Sequence, residues 1–141
     1  MLSVILINAL IVGLSVLVHY EFLHQATKYL PKFHIKHRAR ILVVVFITLI
    51  AHVIEVWIFA LGYFLLHGTQ LWGELQGNFD GSLLDSVYFS FTTFSTLGFG
   101  DIQPIGNIRF LVGMEGLAGF VLITWSASFL YYEMQRHWGN H

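Results

Sequence analysis

Residues 92 to 104, TTFSTLGFGDIQP, combine hydroxyl side chains, two glycines one residue apart, an acid and a proline between two long apolar segments. Irregular backbone at membrane depth is tolerated only where protein buries it or water runs beside it. Gly98 and Gly100 can adopt positive φ without a steric penalty, so a strand that alternates right- and left-handed residues is possible through 96–99. Successive carbonyl groups of such a strand point the same way. Four copies around an axis would stack rings of carbonyl oxygens, with the Thr96 hydroxyl as a further ring, and could replace the water around a dehydrated monovalent cation.

The segment before this stretch predicts a short helix over 82–94. Ser82 is the predicted N-cap, and Asp85 follows three residues later in a capping-box arrangement, near the positive end of the helix dipole. A helix of about three and a half turns covers only about half of a hydrocarbon core of about 30 Å. The helix can therefore enter a membrane but not cross it, and its negative C-terminal end would point at the water below the carbonyl rings.

The composition indicates one membrane-embedded domain rather than a soluble one. Hydrophobic residues make up 56% of the 141 residues and charged residues 11%, whereas soluble domains carry about a quarter charged residues. A formal net charge of -1 gives no basic surface for nucleic acid, which is excluded as a partner. The chain has no cysteine, so disulfides, thiolate nucleophiles and cysteine-ligated metals are excluded as well.

Three apolar stretches predict three transmembrane helices. The first, over 2–18, is uncharged and short for a span; no basic residue precedes it and no small-residue cleavage site follows it, so a signal peptide is the weaker interpretation. The second runs over 41–66 and the third over 108–132. In the third, three glycines recur at intervals of three and lie along one flank that can approach another helix closely: Gly113, Gly116 and Gly119.

The basic residues predict the orientation of the chain. The connector 25–40 holds five of the seven Lys and Arg residues, so it is expected on the cytoplasmic side. The loop 67–106 has no Lys or Arg but carries four acids, which suits the outer side. Three spans then place the N-terminus outside and the C-terminus in the cytoplasm of a multi-pass protein of the cell (inner) membrane.

The stretch STLGFGD resembles the filter signature T-V-G-Y-G-D of the tetrameric potassium channels, and it stands in that family's order of outer helix, pore helix, filter and inner helix. The resemblance covers roughly 41–132. It implies an all-α membrane protein with three transmembrane helices, a re-entrant pore helix and a selectivity-filter loop. It also implies a homotetramer surrounded by membrane lipids, with K⁺ ions in the filter and no organic cofactor.

The resemblance divides the chain into four parts: an additional N-terminal transmembrane helix over 1–24, a basic cytoplasmic connector over 25–40, a pore domain over 41–132 and a short cytoplasmic tail over 133–141. Within the pore domain it implies an outer helix over 41–66, a pore helix over 82–94, a filter over 95–101 and an inner helix over 107–132.

The family's functional positions map onto named residues of this chain. The implied ion-coordinating filter consists of Thr96, Leu97, Gly98, Phe99 and Gly100, with K⁺ at the first four, and Asp101 lies at the outer mouth. Leu97 stands where the family usually has valine, and Phe99 where it usually has tyrosine. The tyrosine hydroxyl commonly bonds to the pore helix and stiffens the filter, and Phe99 lacks it.

The inner helix carries further candidates. Gly119 falls near the family's hinge glycine, and Gly116 is the register alternative. Glu115 resembles the glutamate that small bacterial members carry there. It is a candidate for tuning the filter if its side chain faces the back of the filter, and otherwise a protonated or hydrogen-bonded group facing a neighbouring helix.

Other polar residues allow competing interpretations. Glu55 lies near the middle of the second span and His52 one turn before it, on the same face. The pair is either a proton- or metal-linked site or, as we expect, a hydrogen-bonded or protonated pair facing a neighbouring helix. His19, Glu21 and His24 either form a metal site near the inner interface or, as we expect, are ordinary interfacial residues. Cytosolic pH sensitivity is a hypothesis for four further histidines, which are His34, His37, His137 and His141.

The sequence therefore predicts a potassium-selective channel that conducts K⁺ passively through four TLGFG filters, and not an enzyme. A weakly selective monovalent cation channel is the alternative within the same class. A membrane metalloenzyme or proton-coupled carrier built on His52 and Glu55 is the alternative from another class, and a non-conducting accessory subunit is a third possibility. Usual voltage sensing is not expected because no helix is studded with arginine.

Overall fold

The computed structural model describes residues 1–32 and 36–138. Four α-helices and two short strands follow one another along the chain: α1 (Leu2–Tyr29), α2 (His37–Leu66), β1 (Glu74–Gly77), α3 (Leu83–Phe94), β2 (Ile102–Ile105) and α4 (Ile108–Trp138). A 3₁₀ turn over Leu30–Lys32 follows α1. Three helical segments are long and apolar enough to cross a membrane, and they confirm the three predicted spans: Leu2–Lys32, Arg38–Leu66 and Ile108–Arg136.

The helices extend beyond the apolar runs that predicted them. α1 continues to Tyr29, so the first part of the predicted connector 25–40 is helical, and α2 already begins at His37. The stretch after the first apolar run contains the good helix formers Glu21, Leu23, Gln25, Ala26 and Lys28, and the backbone keeps its helical hydrogen bonds where the hydropathy falls. Pro31 has no backbone donor, and it lies in the 3₁₀ turn that follows α1. α4 likewise continues past the predicted end at 132 to Trp138.

The short helix α3 has the predicted cap. The backbone N–H of Asp85 donates to Ser82 Oγ at 3.1 Å. The Asp85 carboxylate accepts from the backbone N–H of Asp80 at 2.9 Å, and Ser82 N donates to Asp80 Oδ1 at 2.7 Å. Hydrogen bonds from Ser82 therefore hold the pKa of Asp80 below its ordinary value. The 12 residues of α3 make a helix about 18 Å long, too short to span.

The structure is mostly helical, as predicted, and it also contains one short two-stranded antiparallel sheet. β1 pairs with β2 in the register Glu74↔Ile105 to Gly77↔Ile102, so the sheet joins the two ends of the re-entrant segment 78–101. Close approach of the backbones requires glycine: a Cβ added to Gly73 would lie 2.1 Å from the carbonyl oxygen of Ile105. An isolated two-stranded sheet is only marginally stable in water. The buried side chains of Leu75 and Ile102 stabilise this one.

The core of the chain surrounds α3. This helix packs against both α2 and α4, and α1 packs on the other side against the same two helices. The buried side chains between them are mostly aromatic and aliphatic, and include Phe59, Tyr63, Phe89, Phe94, Leu111 and Leu122. The re-entrant segment is therefore held by the spanning helices of its own subunit.

Candidate pore and filter

The predicted filter has a backbone of alternating handedness. φ is 61° at Thr96, 53° at Gly98 and 78° at Gly100, whereas Leu97 and Phe99 have negative φ. This is the alternation that the two glycines predicted. A β-branched residue with positive φ is a steric outlier that costs about 1–3 kcal/mol, so the surrounding structure must hold Thr96 in place.

Hydrogen bonds from the end of α3 supply that support. The backbone N–H of Thr96 donates to the carbonyl oxygen of Thr93 at 2.9 Å, and the N–H of Gly98 donates to that of Thr92 at 3.0 Å. These bonds turn the chain sharply at the C-terminal end of the helix and fix where the alternating stretch begins. The segment therefore begins at a defined point of α3.

The outer end of the stretch is tied to α3 by a side-chain bond that the sequence did not reveal. The Tyr88 hydroxyl donates to Asp101 Oδ2 at 2.8 Å, and this hydrogen bond raises the pKa of Tyr88. A hydroxyl on α3 thus connects helix and filter, although Phe99 has none to offer. Tyr88 was missed because only the turn of the chain back along α3 brings it near Asp101.

Glu115 is fully buried between α2 and α3. One carboxyl oxygen accepts from the Tyr63 hydroxyl, and the other contacts Ser90 Oγ. Ser90 Oγ also lies 2.8 Å from the carbonyl oxygen of Val56. Because Ser90 has one hydroxyl hydrogen, all three contacts are satisfied only when Glu115 carries a proton and donates it to Ser90. Glu115 therefore touches the pore helix itself, and its effect on the filter stays a prediction.

The glycines of α4 differ in what surrounds them. A Cβ on Gly119 would lie 2.1 Å from the carbonyl oxygen of Phe94, the last residue of α3, whereas one on Gly116 would come no closer than 3.9 Å to that of Thr93. Gly119 thus lets α4 approach the end of α3, as the small-residue flank predicted. Its role as a hinge, like that of Gly116, stays a prediction.

A buried cluster joins α1 to α2. Glu55 is fully buried, its Oε2 lies 2.8 Å from His52 Nδ1 and its Oε1 lies 2.8 Å from His19 Nδ1. The predicted hydrogen bond between His52 and Glu55 is confirmed, and the neighbouring helix that the pair faces is α1.

The expectation that His19 is an interfacial residue was wrong. Its side chain is fully buried, because the carboxylate of Glu55 gives its imidazole a partner inside the helix bundle. The predicted grouping of His19 with Glu21 and His24 is not present either: Glu21 bonds to Gln25 and His24 stacks on Tyr20, both on exposed faces of α1. A partner 36 positions away in the chain gave no sequence signal.

The four histidines proposed as cytosolic pH sensors fall outside this description. His34 and His141 lie outside the described residues, and so do the side chains of His37 and His137. That hypothesis stays a prediction.

Comparison with known proteins follows this geometry. A family model described as "Ion channel" matches residues 51–136. The chain is also similar to the inward rectifier potassium channel Kirbac3.1 of Paramagnetospirillum magnetotacticum, with 33% identity over 95 residues, which is 65% of this chain and 30% of that protein. The chain thus spans less than a third of that relative's length, and no solved structure matches. Because the family model covers more than half of the chain, the chain belongs to the potassium-channel pore-loop family of ion channels, and it is a multi-pass membrane protein and not an enzyme.

Proposed function

We propose that this protein conducts K⁺ selectively and passively through a central pore to which each of four subunits contributes one filter, residues 95–101. The observation that carries the proposal is the alternating backbone of Thr96, Gly98 and Gly100. Alternating handedness turns successive carbonyl groups to one side of a strand, so four strands around an axis provide rings of oxygens for a dehydrated ion.

The coordinating groups in this proposal are the carbonyl oxygens of four consecutive residues and one hydroxyl, namely those of Thr96, Leu97, Gly98 and Phe99 and the hydroxyl of Thr96. Gly100 permits the last turn of the strand, and Asp101 stands at the outer mouth. The C-terminal end of α3 stabilises a cation in the water below the rings through its dipole.

One subunit alone does not complete a pore, and this supports assembly of four subunits. A single strand cannot surround an ion, and the side chains of Leu97 and Phe99 are 64% and 66% exposed in the isolated subunit. Neighbouring subunits would cover these apolar side chains while the carbonyls face the axis. The potassium channel named among the relatives supports the same choice of ion.

The basic connector supports an orientation with the N-terminus outside and the C-terminus in the cytoplasm. A weakly selective cation channel is the second candidate, and Phe99 is the observation that favours it. Without the usual hydroxyl a filter holds its radius less firmly, and Na⁺ would then permeate as well. In this chain, however, the hydrogen bond from Tyr88 to Asp101 already ties the outer end of the filter to α3.

The test is a bilayer recording of purified, reconstituted protein under opposed K⁺ and Na⁺ gradients. We expect the reversal potential to follow the K⁺ equilibrium potential. A reversal potential that lies between those of the two ions would establish the weakly selective channel instead. Absence of any flux would favour the non-conducting accessory subunit.

Two glycine variants distinguish a specific effect on the filter from a general effect on folding. Gly98→Ala places a side chain at φ 53° inside the filter, and we expect it to abolish conduction. Gly81→Ala imposes a similar strain at φ 82° in the outer loop, where a Cβ also meets open space, and we expect it to conduct. Equal loss of current in both variants would contradict the assignment of the filter.

A further inference from the structure

Four side chains from three helices form a closed ring of polar contacts inside the bundle. One carboxyl oxygen of Glu55 lies 2.8 Å from His19 Nδ1, and the other lies 2.8 Å from His52 Nδ1. On the opposite side of the two imidazoles, Ser126 Oγ lies 3.0 Å from His52 Nε2 and 3.5 Å from His19 Nε2. The rings of His19 and His52 stack with centroids 5.2 Å apart. The ring thus joins α1, α2 and α4.

Counting hydrogens fixes the charge of this ring. Four contacts need four hydrogens, and the hydroxyl of Ser126 supplies one. Glu55 and the two histidines must supply the other three. They do so either as a carboxylate with one imidazolium and one neutral imidazole, or as a carboxylic acid with two neutral imidazoles. Both arrangements complete all four contacts, and both have zero net charge.

Zero net charge suits the surroundings of the ring. His19 and Glu55 are fully buried, Ser126 is 5% exposed and the His52 side chain is 16% exposed. The neighbouring rings are apolar on both sides, with Phe94 centred 5.7 Å from His52 and Trp125 centred 5.1 Å from His19. A net charge at such a position is costly, so the complete ring is also the electrostatically favoured one.

Within the described part of the chain, the three bond to no further ionisable group. α3 presents Phe94 to the ring, and α4 presents Ser126 and Trp125. The ionisable pairs that lie farther along α2 and α4 have their own partners: Tyr63 with Glu115, and Arg40 with Glu133. The charge of the ring is therefore set chiefly by its own members.

Two imidazoles and a carboxylate are also a donor set for zinc, and the three donor atoms lie within 4.8 Å of one another. A divalent ion with one carboxylate would leave the buried site with a net positive charge. The charge balance of the buried site therefore favours protons over a metal.

We propose that His19, His52, Glu55 and Ser126 form a proton-filled, net-neutral latch that holds α1 on the pore domain, and that gain or loss of one proton opens it. Loss of one proton leaves one of the four contacts without a hydrogen. Gain of one proton places two hydrogens in the same contact, where they repel each other. Either change also leaves a buried net charge. α1 lies outside the region matched by the channel family, 51–136, so the latch attaches an added helix to a family pore.

The latch lies beside the base of the proposed filter. His52 packs against Phe94, and the carbonyl of Phe94 packs against Gly119 of α4. Opening the latch removes support from the end of the pore helix, and open probability is expected to fall. This last step rests on the proposed function, whereas the docking of α1 does not.

Replacing Glu55 by glutamine distinguishes a proton-filled ring from a simple buried contact. The glutamine amide can donate to one Nδ1 and accept from the other, so two neutral imidazoles and Ser126 still complete four contacts. Without the carboxyl group, the ring cannot take the net negative charge of a carboxylate beside two neutral imidazoles. Glu55→Gln should therefore stay latched and lose the alkaline transition, but keep the acid one, whereas Glu55→Leu cannot form the ring.

Trp125 reports on the protonation of His19, because an imidazolium quenches a neighbouring indole. We expect the fluorescence of the full-length protein in vesicles to change in two steps between about pH 4 and 10, a range that brackets the ordinary pKa values of Glu and His. This pH-dependent part of the fluorescence should be lost in Trp125→Phe and in His19→Gln. It should persist in His24→Gln, which removes an exposed histidine from the same helix. A pH-independent signal, or the same titration in His19→Gln, would overturn the proposal.

Docking of α1 can be measured at one pH by cross-linking, since the chain has no native cysteine. A Cβ on Gly62 would lie 3.1 Å from Ile11 Cδ1, so Ile11→Cys and Gly62→Cys place one cysteine on each side of the contact between α1 and α2. We expect disulfide yield to be kept with Glu55→Gln and to fall several-fold with Glu55→Leu. Equal yields in the two would refute the latch, and so would one tightly bound zinc per subunit that is lost with His19→Gln. If both readouts behave as expected but no selective K⁺ current is found, the proposed function fails and the latch stands.

Discussion

The hydroxyl of Tyr88 on α3 donates to the carboxylate of Asp101 at the far end of the proposed filter. The two residues are 13 positions apart in the chain. The bond joins the first half of α3 to the far end of segment 95–101, which runs back along the helix. The inner end of the same segment is held by backbone bonds to Thr92 and Thr93. Hydrogen bonds therefore hold the proposed filter to its own helix at both ends.

Tyr88→Phe removes this hydrogen bond and keeps the aromatic ring, and Tyr88 is 39% exposed in the subunit. We expect a measurably lower K⁺ to Na⁺ permeability ratio and faster decay of current in bilayer recordings. The matched control is Phe91→Tyr, which adds a hydroxyl one turn farther along the exposed side of α3. An unchanged permeability ratio and current decay in Tyr88→Phe would show that the bond does not stiffen the filter.

Gly119→Ala tests the contact between α4 and the end of α3. The added methyl group would lie 2.1 Å from a backbone carbonyl that cannot move freely, so we expect a loss of about 1–3 kcal/mol in the free energy of unfolding. Gly113→Ala lies on the same helix with nothing within 4 Å of the added group in the subunit, and should gain about 0.5–1 kcal/mol.

Thermal unfolding in detergent measures both glycine variants. If Gly119 serves only as a hinge, both alanines stiffen the helix and neither should destabilise it. Equal stability of the two would therefore remove the packing explanation and leave the hinge.

Glu115→Gln and Glu115→Ala distinguish a protonated from an ionised Glu115. Glutamine can donate to Ser90 and accept from Tyr63, which is the pattern of the protonated acid, so we expect nearly native stability. Alanine leaves the buried hydroxyl of Tyr63 without its acceptor, and we expect a loss of at least about 1–3 kcal/mol in the free energy of unfolding. Denaturation of the two variants side by side measures the difference. A glutamine variant as unstable as the alanine variant would mean that the carboxylate form holds the network.

Local signals predicted the parts of this structure that local physics determines. The N-cap at Ser82 and the positive φ of Gly98 and Gly100 depend on neighbours within a few positions, and each is present as expected. The membrane spans depend on hydropathy alone, which is why their number was right and their ends were several residues short.

Contacts between distant segments gave no such signal. The sheet pairs Glu74 with Ile105 across the whole re-entrant segment, and nothing in four residues of sequence identifies the partner. His19 was expected at the interface for a similar reason: a histidine after an apolar run is usually exposed, and only the packing of α1 on α2 brings it to Glu55.

The loop before α3 should show a pH dependence that originates at Asp80. Hydrogen bonds from Ser82 lower the pKa of Asp80 in the folded protein, so its contribution to stability is present above its ordinary pKa and is lost as pH falls through the lower folded value. We expect the unfolding temperature of the wild-type protein to drop across this acidic window and that of Asp80→Asn to drop less. Glu74→Gln, an exposed acid of the same loop, is the control and should retain the wild-type slope. Parallel curves for Asp80→Asn and the wild type would show that the capping bonds at the start of α3 do not stabilise the charged form of Asp80.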